Sequence, residues 1–156
     1  MADTSLETRI KRLEDLEEIK RLMSLYCYHA DNRDGANWSG VFAEDGVFET
    51  DIYGTYEGRG TIRALEHRSF AIHYNTNPII DIDGDHAFGK WLLLMPCSFD
   101  DEAGGKRAVW AAAKYENELA RIDGKWLFKK VKLISVMWTP FDQGWELDRF
   151  IDNEPA

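Results

Sequence analysis

The sequence predicts a single α+β domain, with helices first and a long curved sheet second, closed around an apolar pocket. Three observations predict it. A run without glycine or proline near the N-terminus repeats its apolar residues at helical steps. In the second half, Asp-Gly pairs separate β-rich runs, the strongest short-range hairpin signal. Six Trp in 156 residues with 44% hydrophobic content offer more large apolar surface than one core requires, so part of it is expected to line a cavity.

The elements follow in order. Leu6, Ile10, Leu13, Leu16, Ile19, Met23 and Tyr26 form one stripe, which predicts an amphipathic helix over residues 6–28, with Thr4 and Glu7 as its capping box. Asp34 to Trp38 breaks that helix and caps a short second one ending near Phe42. Residues 46–56 read as a short strand pair. A third helix is expected from Thr61 to about Phe70, with Ile62 and Leu65 inside. Residues 79–82 lead through Asp83-Gly84-Asp85 into 87–95, and residues 110–122 through Asp123-Gly124 into 126–136. These are two long hairpins within residues 73–138, joined by a polar connection at 98–106. The acidic tail, residues 142–156, carries Trp145 and Phe150 and is expected to pack on the sheet or on a neighbour. Long strands in one sheet twist and curl, and helices across the mouth of a curled sheet make a cone with a cavity. At this length, residues 1–156 are expected to form one domain around one core.

Composition narrows the partners. A net charge of -9, without a dense run of Lys or Arg, argues against nucleic acid and anionic membrane surfaces. The longest clear apolar run, residues 91–95, falls far short of the roughly 20 residues of a membrane helix. The N-terminus lacks the pattern of a secretory signal, so the cytoplasm is the default location. Cys27 and Cys97 are too few for a disulfide framework or a cysteine zinc site and read as buried thiols. No His pair has ligand spacing with a third donor nearby, and no phosphate loop or Gly-x-Ser-x-Gly elbow is present. Neither metal nor organic cofactor is therefore expected, and the partner is a small hydrophobic molecule or another protein.

Polar residues that interrupt apolar patterns mark the candidate site. Tyr26 and Asp31 lie five residues apart at the end of the first helix, within about 140° on a helical wheel. In residues 72–78, alternation puts His73, Asn75 and Asn77 on one strand face. A His oriented by a carboxylate is the simplest general base near neutral pH. The same residues also fit a structural reading: a hydrogen-bonded strand His, a helix-terminal Asp and a core Tyr. Of the other histidines, His67 is expected on a helix surface, His86 beside a turn and His29 beside Asp31.

The run from Glu18 to Tyr26, then Asp31-Asn32-Arg33-Asp34 and Phe42-Ala43-Glu44-Asp45-Gly46-Val47-Phe48, resembles the opening of SnoaL-like proteins of the nuclear-transport-factor-2-like superfamily. Tyr56-Glu57-Gly58-Arg59-Gly60, His73-Tyr74-Asn75-Thr76-Asn77-Pro78, Asp123-Gly124-Lys125-Trp126 and Thr139-Pro140-Phe141-Asp142-Gln143-Gly144-Trp145 continue the likeness over nearly the whole chain. The resemblance implies a cystatin-like cone with a mixed or antiparallel sheet. Its nearest enzymes are scytalone dehydratase, bile-acid 7α-dehydratase and hexachlorocyclohexane dehydrochlorinase, cofactor-free lyases with a His–Asp pair. That pair falls on His73 and Asp31, and the dehydratases' Tyr on Tyr26. Val131 and Tyr26 stand where the dehydrochlorinase has an Arg and a Lys, which favours a dehydratase-like site.

The expected function is thus a lyase or isomerase acting on a cyclic or polycyclic hydrophobic substrate, with Phe48, Tyr53, Trp91, Trp110, Tyr115, Leu133 and Trp138 as pocket walls. A non-catalytic ligand-binding protein, or the structural small subunit of a ring-hydroxylating oxygenase, is the alternative. Apolar residues on the open sheet face imply a homo-oligomer; likeness to the dehydratases favours a trimer over a dimer.

Overall fold

A computed structural model describes residues 5–65, 70–100, 105–147 and 149–150. Thr4 and His67 lie outside the described residues. Helix α1 runs Leu6–Asp31 and is capped by Ser5, whose hydroxyl accepts from the Thr8 N–H at 3.2 Å. Its buried positions are Asp15, Ile19, Leu22, Met23, Tyr26 and Cys27. The expected stripe is therefore corrected at its start: Leu6 is 69%, Ile10 47% and Leu13 65% exposed. A helix of this length spans about 39 Å at 1.5 Å per residue, and its burial begins only at Asp15.

Helix α2 (Gly35–Gly40) is capped by Asp34, whose carboxylate accepts from the Asn37 N–H at 3.1 Å. It stops short of Phe42, because Phe42 already belongs to strand β1 (Phe42–Thr50), which pairs with β2 (Gly54–Glu57). Helix α3 (Arg59–Arg63) is shorter than the sequence suggests; Ile62 on it is fully buried, and Leu65 packs on the core beyond its end.

The remaining strands are β3 (Phe70–Ala71), β4 (Tyr74–Asp83), β5 (His86–Asp100), β6 (Lys106–Ile122) and β7 (Lys125–Pro140), followed by a single turn, α4 (Gly144–Leu147). The sheet order is β2-β1-β7-β6-β5-β3, with β4 also on β5. Strand β1 runs parallel to β7 and every other pairing is antiparallel, so the sheet is mixed and curls into a half-barrel against α1. Both predicted hairpins form. Asp123 and Gly124 make the β6–β7 turn with φ of 50° and 78°, values that only a turn-forming pair such as Asp-Gly adopts at low cost. At the β4–β5 turn the central pair is Gly84-Asp85, one residue later than an Asp-Gly centre, because Asp83 still pairs with His86.

The tail is partly described. Phe150 forms an isolated parallel bridge with Trp138, and the Trp138 N–H donates to the Arg149 carbonyl at 2.9 Å. No helix among the described residues is long and apolar enough to cross a membrane.

Candidate active site

Asp31 is the last residue of α1, and the Asn32 amide Nδ2 donates to the Tyr28 carbonyl at 2.7 Å, which ends the helix at that point. His73 sits between β3 and β4. Ala71 pairs with Cys97 and Tyr74 with Leu94, and the register common to both places His73 opposite Met95 on β5. The two residues meet: the His73 backbone N–H donates to Asp31 Oδ2 at 3.0 Å, and His73 Nδ1 lies 2.5 Å from Asp31 Oδ1. A carboxylate only accepts, so Nδ1 carries a proton, and in the neutral ring the lone pair then belongs to Nε2. Both side chains are mostly enclosed, at 14% and 22% exposure.

Tyr26, one and a half turns before Asp31, is 3% exposed. Its ring is surrounded by Trp38 at 5.7 Å, Phe42 at 6.1 Å, Tyr115 at 6.0 Å, Phe128 at 6.0 Å and the His73 imidazole at 6.4 Å. Helix α1 reaches Asp31 without loosening, so Tyr26 and Asp31 are brought to one place by His73, which touches both neighbourhoods. The alternation His73–Asn75–Asn77 holds for the first two only. A register shift between Thr76 and Ile79 and a φ of 55° at Asn77 take that residue out of the pattern and into solvent.

Asn75 is the residue that the sequence underweighted. Its Nδ2 donates to Cys27 Sγ at 2.9 Å. Burial, with the Asp31 charge nearby, pushes the Cys27 thiol up to about 12, so it stays neutral and is no nucleophile at ordinary pH. Burial likewise holds the Tyr115 hydroxyl well above the usual phenol range, with Tyr26 adding to the effect.

Beside this cluster is a small apolar cavity of about 30 Å³. Leu93, Met95, Ala111, Ala113, Leu133 and Trp138 are among its walls. Leu93 is the ladder partner of Asn75 and Leu133 that of Tyr115, so the wall and the polar cluster are adjacent rungs of one sheet. At the mouth, Thr50 Oγ1 accepts from the Tyr53 N–H at 2.7 Å, and Asp51 accepts from both the N–H and the hydroxyl of Ser135 at 2.8 Å. The turn carrying Tyr53 is thereby fixed.

Of the seven predicted wall residues, Tyr53, Leu133 and Trp138 line this cavity. The other four are placed differently. Trp91 folds over Gly89 in the core, Tyr115 packs against Tyr26, and Phe48 sits between Trp38 and Tyr56. Trp110 alternates with buried Val109 and Ala111 and stacks on Phe141 at 6.5 Å, on the other side of the strand. The missing wall was signalled by Ala111-Ala112-Ala113, three small residues in a row in the middle of a strand, which leave space where large side chains would fill it.

The other two described histidines, His29 and His86, have partners of their own. His29 Nδ1 is 3.8 Å from the Asp34 carboxylate, and His86 pairs with Asp83 at the hairpin. No group of three or more His, Cys, Asp or Glu among the described residues is arranged to hold a metal ion.

A family model for the SnoaL-like domain matches residues 11–132. The chain belongs to this family. Solved structures place the SnoaL-like chain among related folds. A hexachlorocyclohexane dehydrochlorinase (LinA, type 2) superposes with a TM-score of 0.78 at 24% identity, over 85% of this chain and 93% of that one. A Novosphingobium aromaticivorans protein described as a candidate scytalone dehydratase gives 0.70 at 22%, over 83% and 89%. An NTF2-like protein with a cystatin-like fold from the same organism gives 0.69 at 22%, over 87% and 92%. At these identities the likeness is one of fold. No curated protein matches the SnoaL-like sequence at a significant level.

Proposed function

We propose that the protein is a cofactor-independent lyase of the dehydratase type, or an isomerase, acting on a small cyclic or polycyclic hydrophobic substrate. The observation that carries this reading is the two-point contact of Asp31 with His73, which fixes the imidazole through Nδ1, while Met95, opposite His73 on β5, lines the apolar cavity. His73 Nε2 takes a proton from a carbon next to an activating carbonyl. The electron pair of that C–H bond becomes the new double bond as the C–O bond to the leaving hydroxyl breaks. Tyr26 supplies the proton with which that hydroxyl departs as water, and Asp31 stabilises the imidazolium that has formed. In an isomerase the same base returns the proton to a second carbon.

Val131 is fully buried in the hydrophobic core at the position where the dehydrochlorinases carry a cation by sequence likeness. That supports loss of water over loss of chloride. The walls supply no charge to grip a charged substrate, which supports recognition by shape and apolar area.

The test is a thermal-shift screen of steroid-like and polyketide-like alcohols bearing a carbonyl, since a ligand of the folded state raises its melting temperature. Stabilising compounds are then incubated with protein and followed by mass spectrometry for loss of water or isomerisation. Turnover that survives in His73→Ala overturns the mechanism. Stabilisation without any turnover favours a binding protein.

A further inference from the structure

Helix α1 carries two apolar faces, and the fold covers one of them. At about 100° per residue, Leu6, Ile10 and Leu13 fall within about 60° of one another, and their mean direction stands about 150° around the helix from that of the buried positions Asp15, Ile19, Leu22, Met23, Tyr26 and Cys27. The three are 69%, 47% and 65% exposed, on a segment in which every residue from Ser5 to Glu14 is exposed. They point away from the core, so no adjustment of the helix against the sheet would bury them. The Ser5 cap, accepting from the Thr8 N–H, closes the first turn, so they stand on formed helix.

Their spacing of four and then three residues is that of a coiled-coil seam. Charges flank it: Glu7 and Glu14 lie along one edge and Arg9 along the other. Arg9 and Glu14 are five residues apart, the step at which the flank of one helix meets that of the other in a parallel pair. There each Arg9 faces Glu14 of the other copy, twice over by two-fold symmetry. An antiparallel pair sets Arg9 against Arg9 and glutamate against glutamate.

We propose that this face is docked by the same face of a second copy of the chain, with the two α1 helices parallel over their first turns. The next two seam positions are Glu17 and Lys20, which pair with each other at 3.5 Å within the helix. Across a parallel pair each would meet its own like, so the contact ends after Leu13 and the helices part. The core lies on the far side of each helix, and the two domains therefore stand outside the pair. A seam of three residues is small beside a standard stable interface, which makes the association reversible and places it at protein concentrations on the order of 10⁻⁴ M.

Cysteine cross-linking on the whole chain tests this. The two native thiols, Cys27 and Cys97, are buried, and Ile10→Cys puts an accessible one at the centre of the seam. Under mild oxidation at that concentration, Ile10→Cys should give a disulfide-linked dimer that the natural protein does not give. Adding either Arg9→Glu or Glu14→Arg should slow cross-linking by about 3–10-fold, and adding both should restore it, because the double reversal rebuilds the pair with its signs exchanged. All these positions are exposed, and circular dichroism should be unchanged. Ile10→Cys that stays monomeric overturns the proposal, and so does a double reversal no faster than the single ones. Leu6→Cys that cross-links to Leu13→Cys in a mixture faster than either links to itself overturns the parallel arrangement. Co-sedimentation of the natural protein with anionic vesicles, lost in Ile10→Glu and unaccompanied by cross-linking of Ile10→Cys, would assign the face to a lipid surface instead and overturn it too.

Discussion

Asp31 holds His73 at two points, accepting from its backbone N–H at 3.0 Å through one oxygen and from Nδ1 through the other at 2.5 Å. A single contact would leave the imidazole free to swing about its side-chain bonds. Two contacts from one carboxylate tie the ring to the backbone that carries it, across 42 residues of chain. The end of α1 and the start of β4 are joined by the same group that orients the imidazole.

For a substrate found by the thermal-shift screen, His73→Ala is expected to lower turnover by about 10²–10⁴-fold, the usual contribution of general acid–base catalysis, with the circular dichroism spectrum unchanged. Asp31→Asn should be impaired as well, because an amide cannot stabilise the imidazolium and can hold the wrong tautomer. The double variant should be little worse than the more damaging single one. Additive losses across the three variants would mean that the residues act separately.

Ala113→Phe should abolish ligand stabilisation while leaving the His73–Asp31 contact in place. Ala113 forms part of the cavity wall and pairs with Leu93 and Ser135, so a phenyl ring there occupies the space between β5 and β7. Overpacking is expected to cost about 1–3 kcal/mol of stability, which a denaturation curve without ligand measures separately. A ligand that still raises the melting temperature of this variant binds elsewhere.

Much of this was legible in the sequence, and what was not has physical causes. The helix of residues 6–28, the two Asp-Gly hairpins and the pairing of His73 with Asp31 are set by local pattern or by family likeness. The cavity wall was not legible in the same way, because a strand's side chains alternate and one register step reverses them: Trp110 went out while Ala111 went in. Trp91 shows a second cause. It lies over Gly89, a residue whose missing side chain makes room for an indole, and that depends on rotamers rather than on sequence order. Leu6, Ile10 and Leu13 show a third, since a periodic apolar face announces burial without stating what covers it.

Gly89→Ala tests that packing directly. A Cβ at Gly89 would stand 2.3 Å from two atoms of the Trp91 ring, and Trp91 is itself only 4% exposed. The ring has to move, and the expected loss is about 1–3 kcal/mol, as for other overpacked cores. A change in tryptophan fluorescence should accompany it, and Trp91→Leu in the same chain should recover part of the stability. Unaltered stability in Gly89→Ala would mean that the indole has another place to go.

Asp15 gives a pH dependence of defined sign. Burial alone would raise its pKa, but hydrogen bonds from Arg121 and the Trp126 indole outweigh it and hold the carboxyl below its ordinary value. A carboxylate depressed in the folded state adds stability that is fully present above the unfolded value near 4 and is lost as the pH falls through the lower folded value. Asp15→Asn should therefore destabilise the protein at pH 7 by about 1–3 kcal/mol, since it leaves a buried guanidinium short of a charged partner. Asp85 and Glu18 still face Arg121 and limit the loss. The difference between the two proteins should shrink below pH 4 in urea titrations; a constant gap would show that Asp15 acts through shape alone.

The last prediction concerns assembly. Tyr74 and Leu94 are ladder partners on β4 and β5, Leu92 follows Leu94 on the same face, and all three are at least 44% exposed. Alternation places them opposite the buried Leu93 and Met95, so they stand on the outer side of the sheet. A row of large apolar side chains open to water is costly for a monomer, and burial against the same row of another copy removes that cost. Likeness to the dehydratases of this family favours three copies. Light scattering at micromolar concentration should therefore give about three times the chain mass, with twice the mass as the runner-up. Leu92→Lys with Leu94→Glu should return the protein to a monomer, because a charge placed in an apolar interface has to be desolvated without a partner. The variant's cavity and the His73–Asp31 contact lie on the inner side and should survive, so ligand stabilisation measured on the monomer separates the role of assembly from that of the site. A natural protein that is already monomeric at that concentration removes the idea.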